Sequence, residues 1–188
     1  MITLLIDTHD RDILLAIYRD EILSSKIQIK GSSSHSEQTM PNIVKLLKQE
    51  QIDVHDLNDI VVVNGPGSFT GERLGVTIAK TLAYTLNIPI RTITSLEMYL
   101  NEELKDVDYL SLPEKNGYFI GMLDEEHNHI IKYEYLTEQN YQEFIKNHLV
   151  QEGKTFDINA LIKHAHQKET LNPHEVNPFY VKKIEVEK

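Results

Sequence analysis

A glycine-rich stretch is the part of the sequence best suited to chemistry. It runs Gly65-Pro66-Gly67-Ser68-Phe69-Thr70-Gly71 and follows an apolar run that ends at Asn64. Backbone amides at the start of a helix attract anions, so the stretch could hold a phosphate with Arg73 as a clamp. However, no Lys-Ser or Lys-Thr follows the last glycine, so it is not a Walker A motif. The alternative, which we favour, is a structural turn whose glycines permit positive φ and a close approach of strand and helix.

Asp7, at the end of the first apolar run, is the second candidate. An acidic residue at this position could bind Mg²⁺ beside a nucleotide. The turn that follows, Thr8 to Asp12, contains no glycine and two further aspartates, which would repel a phosphate. A carboxylate that caps its own turn is the favoured alternative. We therefore keep Asp7 and Arg73 as nucleotide or Mg²⁺ candidates, and we predict no cofactor of the chain's own.

Metal binding and serine chemistry have weaker support. The histidines with the closest spacing are His127-x-His129 and His164-x-His166. A pair separated by two positions on a helix points to different faces, so exposed polar histidines are the favoured interpretation and no metal site is predicted. Ser68 is not part of a Gly-x-Ser-x-Gly elbow, which argues against a peptidase.

The elements that would position these residues are those of an α/β protein. Apolar runs bounded by turn residues predict strands over residues 3–7, 13–18, 22–29, 59–64, 90–93, 118–123, 130–136, 154–157 and 179–186. Helical patterns cover residues 36–50, 72–86, 95–104, 137–148 and 158–166. The first half of the chain has the predicted order meander, helix, strand, helix and strand. The second half repeats a shortened series of the same elements. This order predicts two lobes with mixed sheets, residues 1–104 and 105–188.

Charge and composition limit the classes of function. Nineteen Lys and Arg residues against 29 Asp and Glu residues give a net charge of -10. Affinity for RNA depends on neutralising phosphates, so we do not expect the chain to hold tRNA alone. No stretch approaches the roughly 20 apolar residues of a membrane helix, and the first residues lack the basic region of a secretory signal. With no cysteine in the sequence, we expect a soluble, cytoplasmic protein.

Two predicted helices offer surfaces for a partner. On the second, small residues recur every four positions beside a ridge of leucine and isoleucine. The large ridge could serve the lobe's own core while the small ridge lets another helix approach closely, although such a stripe is as often internal packing. The candidate interface residues are Ile43, Val44, Leu47, Gly75, Ala79 and Ala83.

The glycine-rich stretch also carries a family resemblance. Residues 65–75, GPGSFTGERLG, closely resemble the signature GPGSFTGxRxG of the TsaB (YeaZ) family, within the actin and Hsp70-like superfamily. The signature positions are Gly65, Pro66, Gly67, Ser68, Phe69, Thr70, Gly71, Arg73 and Gly75. Further agreement in order and spacing is found at Ile6-Asp7-Thr8, His35-Ser36-Glu37, Thr94-Ser95-Leu96-Glu97 and residues 178–182. The likeness covers residues 1–100 well and the remainder weakly, and Glu72 stands where relatives often carry an apolar residue.

The resemblance implies an actin-like duplicated fold with a shortened second lobe. It also implies a non-catalytic subunit of the complex that transfers threonylcarbamoyl to the tRNA adenosine next to the anticodon. The expected partners are a TsaD-type catalytic subunit and a TsaE-type ATPase, and the isolated chain is expected to form a homodimer. We expect tRNA to be contacted only through the complex. ATP is expected on the partner subunits or at the subunit junction. In that family the two helices of the first lobe build the dimer contact. An autonomous actin-fold ATPase or, with less support, a peptidase remain the alternatives.

Overall fold

A five-stranded mixed sheet organises the first part of the chain. In this computed structural model, residues 1–31, 34–100, 104 and 106–182 are described. The strands of the sheet are β1 (Ile2–Asp7), β2 (Ile13–Arg19), β3 (Ile22–Ile29), β4 (Asp59–Val63) and β5 (Ile90–Ile93). They lie in the order β3-β2-β1-β4-β5, with β1 to β3 antiparallel and β1, β4 and β5 parallel to one another. Every residue of β4 is buried, as its unbroken apolar run predicts.

Two helices pack on this sheet and contact each other. They are α1 (His35–Gln49) and α2 (Phe69–Leu86). The N-terminus of α2 is capped by Ser68, whose side chain accepts a hydrogen bond from the backbone N–H of Gly71. At the other end Asn87 adopts the left-handed conformation with φ of 54°, which closes the helix before the chain turns into β5. The core between helices and sheet includes Ile43, Leu46 and Ala79, all at most 1% exposed.

A four-stranded mixed sheet organises the second part. Its strands are β6 (Tyr109–Glu114), β7 (Gly117–Leu123), β8 (Ile130–Thr137) and β9 (Val150–Glu152), in the order β8-β7-β6-β9. The helices are α3 (Glu138–Phe144), which contacts β7 and β8, and α4 (Ile158–Gln167). The core of this part includes Leu96, Leu110 and Phe119.

The chain divides into two compact units in a way that the sequence did not indicate. The first unit comprises residues 1–95 and 162–179, and the second comprises residues 96–161 with the described residues from Tyr180 onward. The predicted boundary after residue 104 therefore differs from the observed one, and residues 162–179 return to the first unit. The reason is packing, since Val176 is 1% exposed in the first unit's core and Leu171 bridges to Ile90 at the edge of β5.

Several predicted elements of the second half differ from the structure. Strand β6 was not predicted, because Pro113 interrupts its short apolar run. The helix predicted over residues 95–104 is a 3-10 turn at Glu97–Tyr99, while residues 101–103 lie outside the described part. The strand predicted over residues 154–157 is absent from these described residues, and β9 precedes it. Of the strand predicted over 179–186, residues 179–182 are not in a strand and the rest lie outside the described part. Within the described ranges, no helix combines the length and apolarity that crossing a bilayer demands.

Candidate functional site

The glycine loop, residues Gly65–Gly71, lies against the turn that follows β1. The backbone N–H of Ser68 donates to the carbonyl of His9 over 2.6 Å. The hydroxyl of Thr8 donates to the carbonyl of Gly71, also over 2.6 Å. On the other side, the hydroxyl of Ser95 donates to the carbonyl of Pro66 over 2.6 Å. The first strand, the loop and the segment after β5 are therefore joined by hydrogen bonds at one end of the sheet.

Glycines are required in this loop because backbone atoms occupy the space of a side chain. A Cβ on Gly71 would lie 1.9 Å from the carbonyl oxygen of Thr8, and one on Gly67 would lie 2.3 Å from that of His9. Both are far closer than non-bonded atoms approach. Gly65 also has φ of +108°, which side-chain-bearing residues rarely adopt. The contacts agree with a structural turn, since this chain's own backbone occupies the space beside Gly67 and Gly71, and the N–H groups of Ser68 and Gly71 donate to His9 and to the Ser68 side chain.

Asp7 caps its own turn, as the turn interpretation predicts. Its Oδ1 accepts a hydrogen bond from the backbone N–H of His9 over 3.0 Å and lies 2.6 Å from Nδ1 of the same residue. Burial lowers the pKa of His9, but the charge and hydrogen bond of Asp7 outweigh it and the pKa is raised above its ordinary value. Oδ1 of Asp7 is therefore engaged by both the backbone and the side chain of His9.

Glu72, in the first turn of α2, lies beneath the glycine loop. Its side chain is 2% exposed, and a Cβ on Gly65 would lie 2.5 Å from its Oε1. Burial raises the pKa of Glu72 to about 7, against the hydrogen bond from the Gly67 N–H and the charges of His9 and Arg73. Among the described residues, none supplies a hydrogen-bond partner for its Oε2. We call Asp7, His9 and Glu72 the Glu72 cluster; the sequence marked position 72 as unusual but gave no sign of its contact with His9.

Arg73, the second nucleotide candidate, lies on the exposed side of α2. Its guanidinium carbon is 3.6 Å from the centre of the Phe69 ring, so the two side chains stack at the start of the helix. Asp7 faces His9 on the buried side of the loop. Within the described ranges, no group of three or more His, Cys, Asp or Glu residues is placed to hold a metal ion.

The small ridge of α2 faces the core and not the solvent. Ala79 and Ala83 are fully buried, and a Cβ on Gly75 would lie 2.5 Å from the hydroxyl oxygen of Thr8. Ile43 and Leu47 of α1 also belong to this core. The large ridge also packs on this core, as predicted, but the small ridge is buried as well, because small residues let the helix lie close to its own sheet. The residues of these two helices that do expose large apolar side chains are Met40, Val44, Phe69 and Tyr84.

A second group of buried charges lies at the opposite end of the strands. We call it the Asp59 cluster: Asp59 at the start of β4, Arg91 in β5, His166 in α4 and Glu21 in the β2–β3 turn. Arg91 forms an ion pair with Asp59, which is 1% exposed. His166 lies between two carboxylates, with Nδ1 3.0 Å from Glu21 and Nε2 3.2 Å from Asp59.

This arrangement corrects the interpretation of His166 as an exposed residue, since its side chain is 8% exposed. Burial raises the pKa of Asp59, while the charges of Arg91 and His166 act in the opposite direction. Both ring nitrogens thus lie within hydrogen-bond distance of a carboxylate. An Asp at the start of an otherwise apolar buried strand was the signal in the sequence that could have indicated a buried ion pair.

Comparisons with known proteins agree with this geometry. A family model described as TsaD, tRNA N6-adenosine threonylcarbamoyltransferase, matches residues 22–174. The tRNA threonylcarbamoyladenosine biosynthesis protein TsaB of Bacillus subtilis is 41% identical over 97 residues, which is 52% of this chain and 42% of that protein. TsaB of Escherichia coli is 28% identical over 93 residues, or 50% and 40% of the two chains. The matched segment thus spans less than half the length of these curated relatives.

The solved structure of YeaZ from Pseudomonas aeruginosa superposes with a TM-score of 0.75. The superposition covers 95% of this chain and 99% of that chain at 14% sequence identity, so it speaks for the fold. The predicted actin-like α/β class with mixed sheets flanked by helices is confirmed. Since the TsaD family model covers most of the chain, the chain belongs to the TsaD family, and the curated relatives that it matches in sequence are named TsaB.

Proposed function

We propose that the chain is a non-catalytic subunit in the biosynthesis of tRNA threonylcarbamoyladenosine and that it binds a TsaD-type catalytic subunit. One observation of the structure carries the non-catalytic part: Gly67 and Gly71 press against the carbonyls of His9 and Thr8. The loop that could have held a phosphate is thereby used for internal packing. The names of the curated relatives support the pathway, and the net charge of -10 supports tRNA binding only through the assembled complex.

The surface for the partner is the exposed apolar part of α1 and α2. Met40 and Val44 are one turn apart on α1 and are 40% and 44% exposed. Tyr84 on α2 is 62% exposed. Apolar side chains of this size on neighbouring helices favour a helical interface. The same surface serves a homodimer in isolation, so self-association and binding of the catalytic subunit compete.

The complex acts in the cytoplasm and includes a TsaE-type ATPase, with any ATP held by the partners or at the subunit junction.

The test is threonylcarbamoyl incorporation into tRNA in a reconstituted system. The mixture contains a TsaD, a TsaE and the enzyme that supplies threonylcarbamoyl-adenylate, with or without this chain. Omission of the chain should stop turnover. The double variant Met40→Glu with Val44→Glu should fail to restore it and should run as a monomer, because two carboxylates cannot be buried without partners in an apolar interface. Turnover that is indifferent to the chain would refute the proposed function.

A matched control separates the interface from a general effect of added charge. Ile131 in β8 of the second unit is 61% exposed, so Ile131→Glu makes the same change on another surface and should restore turnover fully. Circular dichroism confirms that each variant is folded. Saturable ATP binding by the isolated chain that Asp7→Ala or Arg73→Ala removes would instead favour the autonomous nucleotide-binding alternative.

A further inference from the structure

The glycine loop closes over a carboxyl group whose hydrogen bonds are incomplete. Glu72 is 2% exposed, and its Oε1 occupies the space beside Gly65 where any other residue would carry a Cβ. The described residues provide no hydrogen-bond partner for its Oε2. An ionised carboxylate in water accepts several hydrogen bonds, and their loss on burial is costly. The closed loop therefore accommodates a neutral carboxyl better than a charged one.

The charged groups around Glu72 do not fully compensate an ionised state. From the loop, the N–H of Gly67 donates to the carboxyl. In the turn after β1, the charge of His9 lowers the pKa of Glu72. However, His9 already pairs with Asp7 over 2.6 Å, and Asp10 also affects the pKa of His9. From α2 itself, Arg73 contributes attraction while its guanidinium lies over the exposed Phe69 ring. These groups oppose the effect of burial, yet the pKa of Glu72 is still raised to about 7.

The closed loop is held by hydrogen bonds near its two ends. The N–H of Ser68 donates to His9, and Gly65 accepts a bond of 2.8 Å from the N–H of Ser95. The hydroxyl of Ser95 donates to Pro66. Few bonds need to break for water to reach Glu72, whereas exposure of β4 requires the whole unit to unfold. Opening of the loop is thus expected at lower free energy than global unfolding.

We propose that Glu72 makes the closing of the glycine loop dependent on pH: the loop packs closed over the protonated carboxyl and opens to water when the carboxyl is ionised. This inference concerns the chain alone and goes beyond its role as a subunit. Because the group prefers its protonated form when the loop is closed, the closed loop is favoured at low pH. That preference is lost as the pH rises from 4.5, the ordinary value of a glutamate, to about 7.

The experiment is hydrogen–deuterium exchange of the full chain between pH 5 and pH 9. Protection of amides in residues 65–71, corrected for the intrinsic rate at each pH, should fall about 40-fold between pH 5 and pH 7 and then level off. Amides of β4 report global unfolding, which also exposes Glu72, so they should lose protection over the same pH range but remain better protected than the loop at every pH. Loop protection independent of pH would overturn the proposal, and so would loop protection equal to that of β4 at every pH.

Two variants and one direct titration sharpen this test. Glu72→Gln keeps the size of the side chain and cannot ionise, so the pH dependence of loop protection should disappear. Glu50→Gln, the matched control at the end of α1, should leave it unchanged. The carboxyl carbon of Glu72, followed by NMR in the unmodified chain, should titrate near pH 7. A midpoint near 4.5 would overturn the proposal even if the Glu72→Gln variant failed to fold.

Discussion

The first unit carries buried carboxyl groups at both ends of its parallel strands, and these groups are stabilised in different ways at the two ends. In the Asp59 cluster, the buried carboxylate has a guanidinium and an imidazole within ion-pair distance. In the Glu72 cluster, the paired carboxylate is Asp7, while Glu72 relies on a backbone N–H and on charges that act from further away. A buried carboxylate can thus be accommodated by opposite charge or by retaining its proton. The first solution persists over a wide pH range, whereas the second fails once the proton leaves.

The largest effect is expected where a carboxylate is buried in apolar core, with no opposite charge beside it and no space prepared for its protonated form. Ala79 lies two helical turns after Glu72 on the same face of α2 and is fully buried. Ala79→Glu introduces a charge and several extra atoms into close-packed core, so the first unit should not fold. Thr77→Glu, at an exposed position of the same helix, should fold normally. Circular dichroism and urea titration distinguish the two, and a folded Ala79→Glu monomer would show that the core at α2 is far looser than described.

Removing the cation from the Asp59 cluster should have the next largest effect. Arg91→Met retains the apolar stem but leaves Asp59 buried beside His166 alone, which should cost about 3 kcal/mol of unfolding free energy. Urea denaturation at pH 7.5 measures this cost. Arg19→Met is the control, because Arg19 pairs with Glu50 at the surface, 46% exposed, where such a pair contributes at most about 1 kcal/mol. A similar loss in both variants would mean that burial of Asp59 does not decide the outcome.

Glu72→Gln should stabilise the chain, in the opposite direction to Arg91→Met. Since the folded-state pKa of about 7 lies above the ordinary 4.5, the folded chain loses stability as the pH rises through that interval. The variant avoids this loss, so its advantage should be small at pH 5 and reach roughly 2 to 3 kcal/mol at pH 8. Urea denaturation at both pH values measures it. Glu50→Gln should be destabilising at pH 8, because the hydrogen bond from Ser24 lowers the pKa of Glu50. A Glu72→Gln variant less stable than the parent at pH 8 would contradict the comparison.

The smallest effect is expected at the histidine of the Asp59 cluster. His166→Gln can replace one of the two hydrogen bonds to carboxylates but not both, so we expect a loss of about 1 to 2 kcal/mol. Hydrogen exchange should show lower protection in residues 162–179 before other parts of the first unit respond. His55→Gln, at an exposed position, should have no measurable effect. Unchanged protection of residues 162–179 would show that His166 does not hold this segment.

The first unit was largely predictable from sequence because its signals are local. Strands β3 and β5 have the predicted bounds, and the remaining elements up to residue 93 differ by at most a few residues at their ends. The glycine loop was predictable for the same reason, since strand, glycines and helix follow one another directly. In the second half, β7 and β8 differ from their predicted bounds by one residue each, whereas β6 was missed because Pro113 lies within it in a pattern typical of a loop.

What could not be predicted depends on contacts between distant parts of the chain. The pattern on α2 identified two ridges but not that both pack on the chain's own core, since helical spacing does not show what a ridge contacts. Their orientation follows from the close approach of Thr8 to Gly75, residues far apart in sequence. Likewise, the pairs of His166 with Glu21 and Asp59 join segments separated by more than a hundred residues. The unusual protonation of Glu72 arises from such packing and leaves no periodic signal.

The return of residues 162–179 to the first unit bears on how the chain folds during synthesis. A ribosome completes all five strands of the first sheet and then residues 96–161 of the second unit before Val176, which belongs to the first core, is made. Until then the edge of β5, where Leu171 later donates its N–H to Ile90, is uncovered. Uncovered strand edges and apolar gaps are the features that promote aggregation of nascent chains and recruit chaperones. The first unit is therefore begun first but completed only after most of the second unit has been made, and its dependence on chaperones should extend through the translation of residues 96–161.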